Sequence, residues 1–299
     1  MNSDRRTLFK LGLVTAGAVA TAATRPARAS STAHEAPPDA RGMLYDTTRC
    51  IGCKACVVAC REANGLQPDT SHDPDGLHDM PLGLDAKTKN VIKLYREDPY
   101  RSYMKSQCMH CIDPACVGAC MIGALQKREY GAVTWDGSRC IGCRYCQIAC
   151  PFDIPKFEWD RAIPHIVKCE LCRQRPGDKA FVPACAEVCP RQAVIWGTRE
   201  ELLADARRRI ADNPGRYVED RIYGEHDGGG TQVIYLSHVP FEKLGLPELG
   251  ERSVPDLPRS LQHGIYKGFI APAALYAVLG AVIWRNRRSG GSDGEDRHE

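Results

Sequence analysis

The stretch Arg49-Cys50-Ile51-Gly52-Cys53-Lys54-Ala55-Cys56-Val57-Val58-Ala59-Cys60 recurs as Arg139-Cys140-Ile141-Gly142-Cys143-Arg144-Tyr145-Cys146-Gln147-Ile148-Ala149-Cys150. Both read Cys-x2-Cys-x2-Cys-x3-Cys. Three thiolates two residues apart let one tight loop wrap three corners of a cubic iron–sulphur cluster, with its amides turned toward the sulphurs. The fourth cysteine lies beyond the loop, faces the other way and serves a neighbouring cluster. Gly52 and Gly142 stand where the backbone must come close to that cluster. Working outward, Pro114-Ala115-Cys116 matches Pro183-Ala184-Cys185, and another cysteine follows each four positions later. All 16 cysteines fall into four groups, at 50–60, 108–120, 140–150 and 169–189. Their order is ABAB, the mark of a duplicated two-cluster unit.

Three other uses of cysteine compete with this one. An even count in an exported chain suggests disulfides, but cysteines packed three apart in four similar groups leave most partners badly placed for pairing. Zinc suits the fourth group taken alone, because Cys169-x2-Cys172 with Cys185-x3-Cys189 resembles a zinc ribbon. Its match to the second group argues for a shared cofactor instead. Haem attachment needs C-x-x-C-H, which does not occur. Radical chemistry on S-adenosylmethionine needs C-x3-C-x2-C, which is also missing.

The repeat also predicts how the cysteines combine. Groups two and three are near in sequence and form one module over 108–164. Groups one and four form the other, from 42–65 with 165–198. Exchange of the fourth ligand then yields four sets. Set 1 is Cys50, Cys53, Cys56 and Cys189; set 2 is Cys60, Cys169, Cys172 and Cys185. Set 3 is Cys108, Cys111, Cys116 and Cys150; set 4 is Cys120, Cys140, Cys143 and Cys146. The expected fold class is α+β: two ferredoxin-like double-cluster modules within 42–262, built from short strands and helices, followed by one C-terminal transmembrane helix. The expected cofactors are four 4Fe–4S clusters, with these sixteen cysteines as the iron ligands.

The ends of the chain read as addresses. Arg5 and Arg6 precede an uncharged stretch from Leu11 to Thr24, and Ala27-Arg28-Ala29 is a small-x-small cleavage site, so 1–29 is laid out as a twin-arginine signal peptide. A small, Pro-bearing linker covers 30–41. Near the other end, Gly268 to Trp284 carries no charge and is followed by Arg285, Arg287 and Arg288. At ~1.5 Å per residue this run spans about 25 Å, close to a ~30 Å hydrocarbon core. Tyr266, Lys267 and Trp284 suit its two interfaces. A membrane span over 265–285 is therefore expected, with 286–299 as a cytoplasmic tail because positive charge gathers there. The cysteine-rich body then sits on the periplasmic face of the inner membrane.

Bulk properties add little. A formal net charge of +3 and a pI of about 8.1 are no nucleic-acid signature, so no nucleic-acid partner is expected. Between the groups, Val91 to Tyr95, Ala132 to Trp135 and Thr231 to Leu236 read as strands. Thr198 and Glu201 form a capping box that opens a helix ending near Asn213-Pro214-Gly215. Gly228-Gly229-Gly230 lacks the phosphate-loop pattern and reads as a turn. His110 and His263 read as solvated or hydrogen-bonded rather than functional.

Four cysteine groups in this order resemble the iron–sulphur subunits of the dimethyl sulfoxide reductase family. Within it the chain is similar to HybA-type periplasmic subunits of membrane-bound nickel–iron uptake hydrogenases. The likeness is carried by Gly42-Met43-Leu44-Tyr45-Asp46, Gln107-Cys108-Met109-His110-Cys111, Cys143-Arg144-Tyr145-Cys146, Lys168-Cys169-Glu170-Leu171-Cys172, Gly197-Thr198-Arg199-Glu200-Glu201 and Gly229-Gly230-Thr231-Gln232-Val233. Met121 departs from the proline common after the last cysteine of group two. The resemblance implies an electron-transfer subunit with no catalytic residues of its own. It would relay electrons between the small and large subunits of a nickel–iron hydrogenase and a multi-helix, quinone-reactive membrane subunit, with lipid around its terminal helix. The alternative it leaves open is the relay subunit of a molybdenum oxidoreductase such as formate dehydrogenase or a sulfur-compound reductase.

Clusters are inserted before translocation, so the chain must cross the membrane folded. Replacing Arg5 and Arg6 together by lysine is expected to strand the precursor in the cytoplasm, as read by fractionation and immunoblotting. Normal export of that variant would refute the twin-arginine reading.

Overall fold

The computed structural model describes residues 35–67, 81 and 83–289. The expected signal peptide, the expected linker up to residue 34 and the tail from residue 290 lie outside them. Two units are distinguished, Ala33–Pro255 and the two chain ends with Asp256–Glu299.

The scaffold of the first unit is a three-stranded sheet. Strand β1 (Arg41–Asp46) lies in the centre. It runs antiparallel to the later strand Val194–Thr198, pairing Met43 with Trp196 and Tyr45 with Val194. It runs parallel to Val233–Leu236, pairing Leu44 with Ile234. Side chains alternate across a strand, and both faces are used. Leu44, Ile234 and Leu236 pack against Leu202, Leu203 and Ala206 of the helix Arg199–Asp212. Met43, Tyr45, Val233 and Tyr235 turn the other way, into a core that contains Cys56, Cys185, Met109 and Leu171. The sheet therefore separates an ordinary apolar layer from the cysteine-bearing layer. The helix is opened by the expected Thr198–Glu201 capping box, and it gives way at Asn213.

The rest of the unit follows in chain order: helix α1 (Ala55–Ala63), strands β2 (Asn90–Glu97) and β3 (Tyr100–Gln107), helix α2 (Ala115–Gly118), then β4 (Leu125–Lys127) and β5 (Val133–Trp135). Helix α3 (Tyr145–Ala149), strands β6 (Lys156–Phe157) and β7 (Ile166–Val167) and helix α4 (Ala184–Glu187) complete the set. The sheet partners of β1 are thus β8 (Val194–Thr198) and β9 (Val233–Leu236), and the capped helix is α5 (Arg199–Asp212).

The duplicated sequence folds into duplicated local structure. Asp46, at the end of β1, accepts hydrogen bonds from Thr48 N and Thr48 Oγ1 at 3.0 and 2.6 Å. Asp136, just past β5, accepts from Ser138 N and Ser138 Oγ at 3.0 and 2.7 Å. Arg49 and Arg139 then fold back onto these carboxylates at 3.5 and 3.4 Å. Such Asx turns reverse the chain locally, and each delivers the first cysteine of its group to the loop. In both copies the loop ends on a left-handed basic residue, Lys54 or Arg144, and a helix begins on the next residue. Pro114 and Pro183 open the short helices α2 and α4 in the same way.

One element was not anticipated. The 61–107 insertion holds the expected strand, but also its partner β3, in full antiparallel register from Asn90–Gln107 to Glu97–Tyr100. The residues that β3 buries are Ser102, Met104, Lys105 and Gln107, so it shows no apolar alternation.

The second unit contributes one described element, helix α6 (Asp256–Ser289). It opens ahead of the apolar run because Asp256 and Pro258 both suit a first helical turn. Large apolar side chains, among them Leu257, Ile265, Phe269, Leu275, Val278 and Trp284, are exposed along it. It is long and apolar enough to cross a membrane.

Candidate metal centres: four interlocked thiol sets

All sixteen cysteines are free thiols, and their neighbourhoods resolve into the four sets. The cavity beside Tyr45, Ile92 and Val194 is lined by Cys50, Cys53, Cys56 and Cys189. Burial pushes the Cys60 thiol up, and Cys169, Cys185 and Cys172 act on it in the same direction. Cys111 is raised by burial and then by Cys108, Cys116 and Cys150. Cys146 is pushed to about 11 by burial, with Cys143, Cys120 and Cys140 adding to it. Cys189 thus shares a cavity with the three cysteines of its expected set, and Cys60, Cys150 and Cys120 lie within electrostatic reach of cysteines of theirs.

The expected sets also act on one another in succession. Cys56 of set 1 feels Cys185 of set 2. Cys108 of set 3 feels Cys169 of set 2, and Cys116 of set 3 feels Cys146 of set 4. The contact between sets 2 and 3 joins the two modules and has no counterpart in the repeat. At the two ends of that succession, Cys53 in set 1 and Cys143 in set 4 are exposed.

Local geometry suits sulphur that carries negative charge. Gly52 N donates to Cys50 Sγ at 3.4 Å. Ala124 N and Leu125 N donate to Cys120 Sγ at 3.2 and 3.4 Å. Amides of Ile154 and Phe152 hold the Cys150 thiol down against the burial that raises it. Gly52 and Gly142 adopt φ of +71° and +72°. The demand on the two differs: a Cβ on Gly52 would lie 2.2 Å from the Tyr103 ring, whereas one on Gly142 would lie 3.4 Å from Phe157. Tyr103 also accepts a 2.6 Å hydrogen bond from Tyr45 Oη at its carbonyl, so β3 forms a wall of the first loop.

These surroundings fit multinuclear clusters. Burial pushes Cys56 and Cys116 up to about 12, so ionising these thiols together without a metal is unfavourable; metal binding takes the place of the protons. Among the described residues no three His, Cys, Asp or Glu side chains close on a point that one ion could occupy. Zinc thiolates at ~2.3 Å from a shared ion would lie that close, while the corners of a cubane are wider apart. His110 lies between two cysteines, fully buried, and its Nδ1 accepts from Val133 N at 3.0 Å. Its Nε2 then carries the proton and has no acceptor among the described residues. An acceptor such as cluster sulphide suits it. Burial, followed by the charge of Lys168, holds its pKa well below the ordinary histidine value, so it stays neutral.

Two buried lysines stand among the thiols: Lys105 on β3 and Lys168 just past β7. The spacing of the cysteines gave no sign of Lys105, which stands three residues before Cys108 in a strand that sequence patterning missed.

Cysteines in repeated groups, wrapped by short loops, point to an iron–sulphur electron-transfer protein. Comparison with known proteins agrees. A family model described as a 4Fe-4S dicluster domain matches residues 100–199. Hydrogenase-2 operon protein HybA of Escherichia coli O157:H7 is 38% identical, over 99% of this chain and 99% of that protein. The iron–sulfur subunit of nitrate-inducible formate dehydrogenase of Escherichia coli K12 is 33% identical over 86% of this chain and 89% of its own. The formate dehydrogenase iron–sulfur subunit of Haemophilus influenzae is 34% identical over 80% and 77%. The chain belongs to this family of 4Fe–4S iron–sulphur subunits. Its cofactors are 4Fe–4S clusters, and its sixteen cysteines are the complement of four.

The two loop glycines yield a graded prediction. Gly52→Ala is expected to lower iron content by about one cluster of the four, because both φ and the Tyr103 ring oppose a methyl group there. Gly142→Ala meets only the backbone strain, about 1 kcal/mol, and is expected to retain iron. Iron and acid-labile sulphide per chain after anaerobic reconstitution decide it; equal losses in both variants would refute the role of Tyr103.

Proposed function

We propose that this chain is the relay subunit of a periplasmic, membrane-bound nickel–iron hydrogenase, with sets 1 to 4 each holding one 4Fe–4S cluster. When bound, the clusters supply one-electron redox chemistry and nothing else. The chain's own residues space them, shield them and leave the two ends accessible. Loops beginning at Asp46 and Asp136 wrap three thiolates of sets 1 and 4, and Cys189 and Cys120 complete them. The exchanged Cys60 and Cys150 complete sets 2 and 3 and tie each module together. The burial of most inner thiols, beside Cys53 and Cys143 exposed at the ends, supports entry at one end and exit at the other.

The observation that carries the hydrogenase partner is the extent of the likeness: the hydrogenase-2 operon protein matches over 99% of both chains, terminal helix included. The formate dehydrogenase relatives match over less of the chain and favour the second reading, a relay for a molybdenum enzyme. In either case helix α6 anchors the body, its Arg285, Arg287 and Arg288 end toward the cytoplasm, with the signal peptide delivering the body to the periplasmic face. A quinone-reactive membrane subunit is the electron acceptor on this reading. No residue acts on a substrate.

Cys189→Ser is expected to perturb the cluster of Cys50, Cys53 and Cys56, leaving the signal of Cys60, Cys169, Cys172 and Cys185 unchanged in low-temperature electron paramagnetic resonance. Loss of the latter first would show the exchange to be wrongly drawn.

Deleting the chain is expected to leave hydrogen oxidation with an artificial dye largely intact while abolishing hydrogen-dependent quinone reduction in membranes. Removing residues 268–299 alone keeps the clusters and weakens that coupling. Wild-type hydrogen-to-quinone rates in the deletion strain, with formate coupling lost, would replace the hydrogenase reading by the second one.

A further inference from the structure

Lys105 is a residue that folding should avoid. It lies on β3 with no exposed surface at all. Its Nζ donates to Gln107 Oε1. Gln107 Nε2 in turn donates to Met43 Sδ at 3.7 Å, and Cys185 Sγ approaches the same sulphur at 3.7 Å. The ammonium group is therefore linked to Cys185 through two side chains. The charges that act on it are thiolates, those of Cys185, Cys56, Cys60 and Cys169. All but Cys56 belong to set 2.

Lys168 repeats the arrangement at the next junction. It is 3% exposed, and its Nζ donates to the carbonyls of Val133 and Cys169, the latter at 2.7 Å. Cys108 and Cys116 of set 3 act on it, then Glu170 and Cys169 of set 2. Glu170 is itself engaged by Trp135 N at 2.8 Å. In the outer set 4, the charges that act most on Cys146 are those of its own cysteines, Cys143, Cys120 and Cys140.

A buried ammonium ion persists only beside compensating negative charge. Here that charge comes from the thiol sets, and it grows by one unit when a cluster accepts one electron from its donor. A fixed cation alongside stabilises the reduced form more than the oxidised form and so raises the potential, with little screening by salt because water is excluded. We propose that Lys105 and Lys168 are built-in counter-charges that hold the inner clusters, those of sets 2 and 3, at higher potential than that of the outer set 4, with Lys105 acting on Cys56 of set 1 as well. Electrons then settle on the inner pair, away from solvent, and the step from that pair to set 4 is uphill. The inference rests on the ligand sets proposed above and concerns only their relative potentials.

The test is an anaerobic redox titration of the full-length, cluster-loaded protein, followed by electron paramagnetic resonance, with iron per chain measured first. Lys105→Met and Lys168→Met keep side-chain length and remove the charge. Gln107→Glu keeps Lys105 and neutralises it; Lys87→Met, an exposed lysine on an Asp160 ion pair, is the control. In the first three variants the highest-potential signals are expected to move down, so that at fixed poise their reduced-to-oxidised ratio falls at least tenfold, about 59 mV for a one-electron couple. The lowest-potential signals and the control stay put. Full iron with unmoved high-potential signals would overturn the proposal, as would an equal shift in Lys87→Met. Should Lys105→Met lose iron, Gln107→Glu decides by the same criterion. Iron loss in the methionine variants that Lys105→Arg and Lys168→Arg suffer equally would also overturn it, because a charge role is rescued by charge. An iron count of two clusters or fewer in the wild type would instead sink the ligand sets themselves.

Discussion

Sixteen thiols in one small body repel each other once ionised, and burial opposes their ionisation further. Everything else in the structure answers that constraint. Burial raises Cys56, Cys60, Cys111 and Cys116 first, and the neighbouring thiols add to it. Only a resident cation removes the conflict, and iron in a cubane does so while using four thiolates at once. The apolar residues around the sets therefore do not form an independent core that tolerates metal; they close around ligands whose charge the metal must supply.

The β1–β8–β9 sheet makes this arrangement affordable by keeping the two tasks on opposite faces. Leu44, Ile234 and Leu236 build a conventional interface with α5, which holds whatever the state of the thiols. Met43, Tyr45 and Tyr235 face the sets, and their polar or polarisable atoms join them to β3: Tyr45 Oη reaches the Tyr103 carbonyl and Tyr235 Oη the Lys105 carbonyl, at 2.6 and 2.8 Å. Buried Asp46 binds the two layers, since Arg209 of α5 reaches its Oδ2 at 3.0 Å while its Oδ1 shapes the turn into Cys50. A single carboxylate thus couples the supporting helix to the first loop.

The succession of sets gives the body a direction. On the proposed ligand sets, exchanged cysteines hold sets 1 and 2 together, and likewise 3 and 4. The junction between the modules depends on different contacts, Cys108 against Cys169 with Lys168 beside both. That junction is the step on which a continuous relay depends, and there Lys168 stands beside two sets that share no loop.

The cofactor was legible in the sequence because cluster ligation is local: a loop of three cysteines at fixed spacing already describes three corners of a cube, and sixteen cysteines in an ABAB repeat are the complement of four clusters. The α5 capping box was legible for the same reason, since Thr198 and Glu201 satisfy amides within one turn. Strand β3 was not, because its buried positions are Ser102, Lys105 and Gln107 beside Met104, and a strand that faces charged sulphur need not alternate in polarity. The start of α6 was hidden too, because apolarity marks what a helix can bury and not where its hydrogen bonds begin. Above all, only the tertiary structure brought Lys105 and Lys168 among the thiols and set 2 against set 3. Those contacts join residues far apart in the chain through electrostatics, which leaves no periodicity in a sequence to read.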